Sequence, residues 1–265
     1  MKITRFFIII MLMASISCAK TGKASDEAQS ATSAIIDTIS AAGYHYDSFT
    51  TPAGRTVNVA FIKHGSLIVD LDGYLVYVDP VTMFGNDFSK LPKADMILVS
   101  HEHHDHFDPK ALELLGNDAT SIFASKAVAE QCEKAMALLP GDSIVVDAAN
   151  FELTIVPAYN NTAEHLQFHP KERGDLGFLF NIDGFTLYIG GDTEDIEEMA
   201  SFGKIDVAFI PVNQPFTMTV DQVIHAAEML APTYLYPYHY GETDLTPLVE
   251  RFADSEIDVR VRDLQ

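Results

Sequence analysis

The run HEHHDHFD, one residue after the apolar stretch MILV, constrains this chain more than any other feature. It sets His101, His103, Asp105 and His106 within six positions, in the order His-x-His-x-Asp-His. A helix would scatter these side chains, because residues one and two apart do not share a helical face. A tight loop leaving a strand can gather them. Met96 to Val99 reads as that strand, a short continuous apolar run of the kind a buried strand shows. Imidazole nitrogens and a carboxylate suit zinc, iron or manganese. With no thiolate nearby, the pattern does not fit a structural cysteine-rich zinc site.

The chain has 265 residues, enough for one domain with a full core. Its net charge of −21 comes from 38 Asp and Glu against 17 Lys and Arg. Nucleic-acid binding needs a basic footprint that this balance does not supply. The acidity is expected to serve solubility in an exposed compartment.

The N-terminus reads as an export signal. Lys2 and Arg5 precede an apolar stretch from Phe6 to Ala14, too short to span a bilayer as a helix. Ser17 before Cys18 resembles a bacterial lipoprotein cleavage site, with Cys18 as the lipidated first residue. Three segments are expected: a signal peptide over 1–17, a lipid-anchored tether over 18–55, and a catalytic domain over 56–265. The mature protein is then a periplasmic or cell-envelope lipoprotein that meets the membrane only through its anchor. Cys132 would remain without a disulfide partner. It is expected to face a core from a helix spanning about Ala127 to Leu139.

The rest of the chain alternates strands and helices. AIIDTISAAG reads as a short helix ending at Gly43. VNVAFIK, SLIVDL and YLVYVDP read as strands, with a hairpin turn at Asp72-Gly73 and a second one at Asp183-Gly184. A short acidic helix is expected after Thr193, with Glu194 and Asp195 in its first turn. Thr219 caps a later helix, with Gln222 as its capping-box partner. TYLYPYHY and IDVRVR read as the closing strands, with a helix from Leu245 to Phe252 between them.

Five segments carry a resemblance: KHGSLIVDLDGYLVYVDP, ILVSHEHHDHFD, FTLYIGGDT, IDVAFIPVNQPFTMT and YLYPYHYG. In this order the chain resembles the metallo-β-lactamase superfamily of metal-dependent hydrolases. Within it, the chain looks most like the branch that includes ascorbate-6-phosphate lactonase and N-acyl phosphatidylethanolamine phospholipase D. The resemblance implies a four-layered αββα sandwich with one or two metal ions, zinc first and manganese or iron as alternatives. It implies that His101 and His103 hold one ion. Asp105, His106 and His239 would hold the other, and Asp192 would bridge them. Where relatives place a third histidine for the first ion, this chain has Asn160. The replacement is sought in His169, ahead of His165. If nothing replaces it, a single ion at Asp105, His106 and His239 remains. Asp79 and His64 are expected beside the ligands, Asp79 as acceptor for a ligand histidine. Phe216, Met218, Tyr159 and Tyr240 are candidates for the rim.

The resulting expectation is hydrolysis of an ester-like bond, whether lactone, ester or phosphodiester, in a small-molecule or lipid substrate. The ions would make water nucleophilic, and Asp105 would help orient it. A phospholipid phosphodiesterase is the nearest alternative. A non-catalytic metal- or partner-binding module on the same scaffold is the other.

Overall fold

The computed structural model describes Ile8–Ile9 and residues 34–265. Cys18, the expected signal apart from Ile8–Ile9, and the expected tether as far as residue 33 lie outside the described residues. Among the described residues, fifteen strands form two sheets. The first half of the chain builds one sheet, in the order β2 (His45–Thr50), β3 (Thr56–Lys63), β4 (Ser66–Leu71), β5 (Tyr74–Val78), β6 (Met96–Val99), β7 (Ser121–Ser125) and β8 (Ala135–Leu138). The second half builds the other: β9 (Ser143–Val146), β10 (Phe151–Ala158), β11 (Asp175–Ile182), β12 (Phe185–Ile189), β13 (Val207–Pro211), β14 (Tyr234–Tyr238) and β15 (Asp258–Val259). The two-residue strand β1 (Ile8–Ile9) lies parallel to β9 at its edge.

Both sheets follow one plan. Strands β2 to β5 are antiparallel and β5 to β8 are parallel. Likewise β9 to β12 are antiparallel, and β12 to β15 are parallel. The antiparallel parts turn sharply. Asp72 and Gly73 have φ of 53° and 94°, and Asp183 and Gly184 have 52° and 83°. Two successive positive φ values give the mirror-image turn whose twist matches paired strands. The parallel parts need crossovers, and the helices supply them.

Side-chain alternation divides the core. Val76, Val78, Met96 and Leu98 point between the sheets, against Phe178, Phe180, Leu187 and Phe209. Leu75, Tyr77, Ile97 and Val99 point to the opposite face, where they meet Ile36 and Ile39 of α1 (34–41) and Leu112 and Leu115 of α2 (Pro109–Leu115). Strands buried on both faces read as continuous apolar runs, which is why MILV and YLVYV carry no polar alternation. In the second half, α4 (Val220–Leu230) crosses between β13 and β14 and buries Val223, Ala226, Ala227 and Leu230. Thr219 and Gln222 close the expected capping box at its start. A last helix, α5 (Thr246–Phe252), buries Leu248 and Phe252. The result is the αββα sandwich.

Four local expectations are corrected. The sheet begins ahead of residue 56, because β2 pairs along its whole length with β3 and buries Phe49. The helix expected over Ala127 to Leu139 stops at once: α3 covers Lys126–Ala129, and Ala135–Leu138 is the edge strand β8. As an edge residue Met136 stays 40% exposed, so the Val128, Cys132, Met136 spacing marks no common buried face. Cys132 packs only partly against the outer core. After Thr193 the chain forms no helix until a 3-10 turn at Glu197–Ser201, and Glu194 is buried instead of lying in an exposed first turn.

Candidate metal centre

The parallel strands deliver the site. Asp79 follows β5, Ser100 and His101 follow β6, Asp192 follows β12, and His239 follows β14. Carboxyl ends of strands from both sheets thus meet on one edge. The loop after β6 turns back on itself, with the amides of His106 and Phe107 both donating to the His103 carbonyl. This turn brings His101, His103, Asp105 and His106 together.

Three overlapping groups result, each with its ligand atoms within 4.8 Å of one another. His101, His103 and His169 form one. His64, Asp105, His106 and His239 form another, and His101, His106 and Asp192 form the third. Asp192 stands in the middle. Its Oδ1 is 3.2 Å from His106 Nε2, and its Oδ2 is 3.3 Å from His169 Nε2 and 3.4 Å from His239 Nε2. Asp105 Oδ2 is 3.5 Å from His239 Nε2.

Hydrogen bonds set which nitrogen faces inward. Asp79 is 1% exposed and accepts from the Ser100 amide (2.7 Å), the Ser100 hydroxyl (2.6 Å) and His106 Nδ1 (2.8 Å). Because Ser100 Oγ gives its proton to Asp79, it must accept from His101 Nδ1 at 2.9 Å. His169 Nδ1 donates to the Phe216 carbonyl at 3.0 Å. In all three rings Nδ1 carries a proton, and Nε2 is the nitrogen turned toward the site. Such outer partners fix tautomer and orientation in metal centres generally.

The inward atoms have no protein partner. Nε2 of His101, His106, His169 and His239 and Oδ1 of Asp192 are buried without a hydrogen bond. Each such atom would cost about 1–3 kcal/mol if it stayed unsatisfied. Five converging on one spot fit divalent cations, which take lone pairs from imidazole and carboxylate.

Charge points the same way. Burial pushes the His101 imidazole well below its ordinary range, so it is neutral and can ligate. Burial, with His169 and Arg173 adding, lowers His103 to about 4. His106 moves upward: burial opposes its charge, but the carboxylates of Asp192 and Asp79 outweigh it. Asp192 is held well below the usual carboxylate range despite burial, by His106 and His239. In His106 a proton supplies positive charge that a cation would otherwise bring.

Backbone geometry leaves little room for change. Gly191 has φ of 63°, and a Cβ there would lie 2.4 Å from the Leu176 carbonyl oxygen. A Cβ on Gly65 would sit 2.8 Å from His106 Cε1. His64 and His239 both adopt positive φ, 56° and 52°, which is uncommon for residues with a side chain.

The sequence-derived candidates fall as follows. His101, His103, Asp105, His106, Asp192, His239 and His169 all lie in the three groups. Asp79 accepts from His106. His64 lies closer to the centre than a purely supporting residue: its Nε2 is 3.2 Å from Asp105 Oδ2, and its ring centroid is 3.6 Å from that of His239. Asn160 joins no group. Its amide Nδ2 donates to the Phe216 carbonyl at 2.8 Å and the His165 carbonyl at 3.1 Å, and its backbone N–H donates to the His169 carbonyl at 2.8 Å. It therefore clamps the loop that brings His169 in, and the Phe216 carbonyl it holds is the one that orients His169. His165 turns away to Glu194 at 3.1 Å. Of the rim candidates, Phe216 is exposed beside the site, whereas Met218 is in the core. Tyr159 bonds to Glu198 and Tyr240 to the Arg262 carbonyl, both away from the ligands.

Glu194 is the supporting residue that sequence reading missed. Its side chain is fully buried and accepts from the Asn161 amide (2.7 Å), the Thr162 amide (2.6 Å) and His165 Nδ1 (3.1 Å). It lies two residues beyond Asp192 and anchors the loop that carries His169. The only signal in the sequence was its place next to the GGDT motif.

Buried imidazoles and carboxylates at the shared edge of an αββα sandwich define the metal-dependent hydrolases of the metallo-β-lactamase fold. The family model described as the β-lactamase superfamily domain matches residues 58–239, and the chain belongs to that superfamily, among the UPF0173 metal-dependent hydrolases. A UPF0173 metal-dependent hydrolase of Pelotomaculum thermopropionicum is 30% identical over 208 residues, covering 74% of this chain and 88% of that protein. A crystal structure from Parabacteroides distasonis, described as a candidate metal-dependent hydrolase, is 44% identical with a TM-score of 0.80. It covers 84% of this chain and all of that one. Igni18, a metallo hydrolase from Ignicoccus hospitalis, shares the fold at 22% identity and a TM-score of 0.66, covering 78% of this chain and 95% of that one.

Proposed function

We propose that this metal-dependent hydrolase cleaves an ester-like bond, in a lactone, a carboxylic ester or a phosphodiester, and that its ions are zinc at two sites. The observation that carries the reading is the set of five buried, unpartnered inward atoms around Asp192. His101, His103 and His169 would hold one ion, and Asp105, His106 and His239 the other, with Asp192 between them. The donor set of imidazole and carboxylate without thiolate favours zinc and leaves manganese or iron as alternatives. When bound, the ions supply Lewis acidity, which makes water nucleophilic near neutral pH and polarises the scissile oxygen.

The chain's own groups do the rest. Both Asp105 and Asp192 line the cavity, and Asp105, 24% exposed against the almost wholly covered Asp192, is the more accessible carboxylate. It can orient the attacking water and accept a proton at a carboxylate oxygen. His64 holds it from behind through Nε2–H. Asn213 offers an amide at the wall, and Phe168 and Phe216 keep bulk water from that side. We also infer that the protein is exported and anchored through Cys18.

Metal analysis of the purified protein, run beside hydrolysis of a lactone, an aryl ester and a phosphodiester, tests the reading. About two ions per chain and turnover of at least one substrate are expected, with a loss of about a hundredfold or more in His103→Ala and Asp105→Ala. Bound metal without turnover of any substrate, with both variants altering metal content alone, would leave only a binding module.

A further inference from the structure

The cavity over the metal centre has a volume of about 390 Å³ and is bordered by Phe168, Phe216, His104 and Asn213 beside the candidate ligands. Phe168 and Phe216 pack edge to face at 5.0 Å, so they form one aromatic wall on the His169 side. Phe216 nevertheless stays 43% exposed. Across the centre, Phe84 lies 4.6 Å from the His64 ring, which is itself 3.6 Å from the His239 ring and tilted to it by 40°. Phe84 is 41% exposed, and its neighbour Met83 is likewise 41% exposed. Large apolar side chains thus stand in solvent on both sides of the ligand row. Single exposed apolar residues are ordinary, but an aromatic pair at the mouth of a cavity with few, converging polar groups marks a binding wall.

Charge narrows the occupant further. Among the described residues that border the cavity there is no Lys or Arg. Arg173 approaches His103 at 3.0 Å, but it is held by Asp175 at 2.8 Å and Glu102 at 3.2 Å. Those two carboxylates already match its charge. Lys171 is likewise engaged, with Glu198 at 2.8 Å. Beyond the ions themselves, no Lys or Arg with unmatched charge borders the cavity to receive a second anionic group, and the chain as a whole carries −21.

We propose that the part of the substrate beyond the reacting bond is apolar and uncharged, an alkyl chain or ring laid against Phe216 and Phe168 with Phe84 opposite. The inference rests on the hydrolase reading and names the substrate class for that same site. It sets aside sugar phosphates and other compounds with a distal anion.

The test uses the ion-loaded full chain and straight-chain hydroxamates from two to eight carbons, which anchor on metal through their head groups. Affinity measured by calorimetry is expected to rise about threefold per methylene, near the transfer free energy of a partly covered CH₂. Phe216→Ala, on an exposed side chain, is expected to flatten that slope, with Phe84→Ala as a second variant on the opposite side. An eight-carbon chain ending in a carboxylate is expected to bind no better than the two-carbon compound. A flat series, absent binding, or a slope unchanged in both variants would overturn the inference. Hydrolysis of nitrophenyl esters and alkyl nitrophenyl phosphodiesters of the same chain lengths is followed in parallel. Turnover with no chain-length preference removes this inference alone. A hydroxamate slope without any turnover removes the hydrolase reading instead.

Discussion

Replacing Glu194 by Gln isolates the support of one ligand without touching any ligand. Glu194 Oε2 accepts both the Asn161 and Thr162 amides, at 2.7 and 2.6 Å, and Oε1 accepts His165. Gln keeps the shape and can still offer its oxygen to the two amides, while His165 can change tautomer to accept from the new NH₂. What is lost is charge assistance. Hydrogen bonds to a charged group contribute about 1 kcal/mol more than neutral ones, so two of them give about 2 kcal/mol. The loop from Tyr159 to His169 then opens more easily, and ion binding at the His101, His103, His169 group must close it. At 1.4 kcal/mol per tenfold, affinity at that group falls by up to about 30-fold. Binding at the Asp105, His106, His239 group should hold, because none of its residues lies on the loop. Titration of metal-free protein against a competing chelator separates the two constants. If Glu194→Gln lowers the melting temperature yet leaves both constants alone, or lowers both equally, the coupling from Glu194 to His169 is refuted.

Four further outcomes follow from the same geometry. Asp79→Ala removes the acceptor of His106 Nδ1 and two bonds from Ser100, and should weaken ion binding about 10–100-fold in a chelator competition. Gly65→Ala puts a Cβ against His106 and should cost about 1–3 kcal/mol in denaturant unfolding, with ion content reduced. Because Asp192 and Asp79 raise His106 against the effect of burial, ion uptake near neutral pH must expel its proton. Affinity should therefore rise with pH, and calorimetry in buffers of different ionisation enthalpy should register proton release. For Glu194, burial opposes the charge but the Thr162 amide and His165 outweigh it, so its folded pKa is depressed. Its contribution is present above the ordinary carboxylate range and fades as pH falls through the folded value. Exchange of the Asn161 and Thr162 amides should accelerate there first.

Much of this centre could be read from residues that are close in sequence. His101, His103, Asp105 and His106 sit in one loop, so their convergence needs only a strand before them. Asp192 and His239 each lie at the end of a parallel strand, legible from GGDT and PYHYG once the order of segments was recognised. His169 was harder. It arrives through a loop held by Asn160 and Glu194, and neither clamp has a periodic or spacing signal, since both act on backbone groups. The same blindness explains the missed edge strand β8. Val128, Cys132 and Met136 keep helical spacing, but pairing with β7 overrode local preference. Glu194 looked like a helix-starting acid because its tertiary donors, Asn161 and Thr162, are 33 and 32 residues away.

Apart from the two-residue β1, each sheet is drawn from one contiguous half of the chain, and the two halves divide the donors between them. The first contributes His64, His101, His103, Asp105 and His106, and the second His169, Asp192 and His239. During folding the first half can assemble its seven strands while its imidazoles still lack their counterparts. Tight capture of a cation must wait until the strand before His239 has docked. Metal uptake would then act as a late checkpoint, rewarding only chains whose two halves have closed on each other.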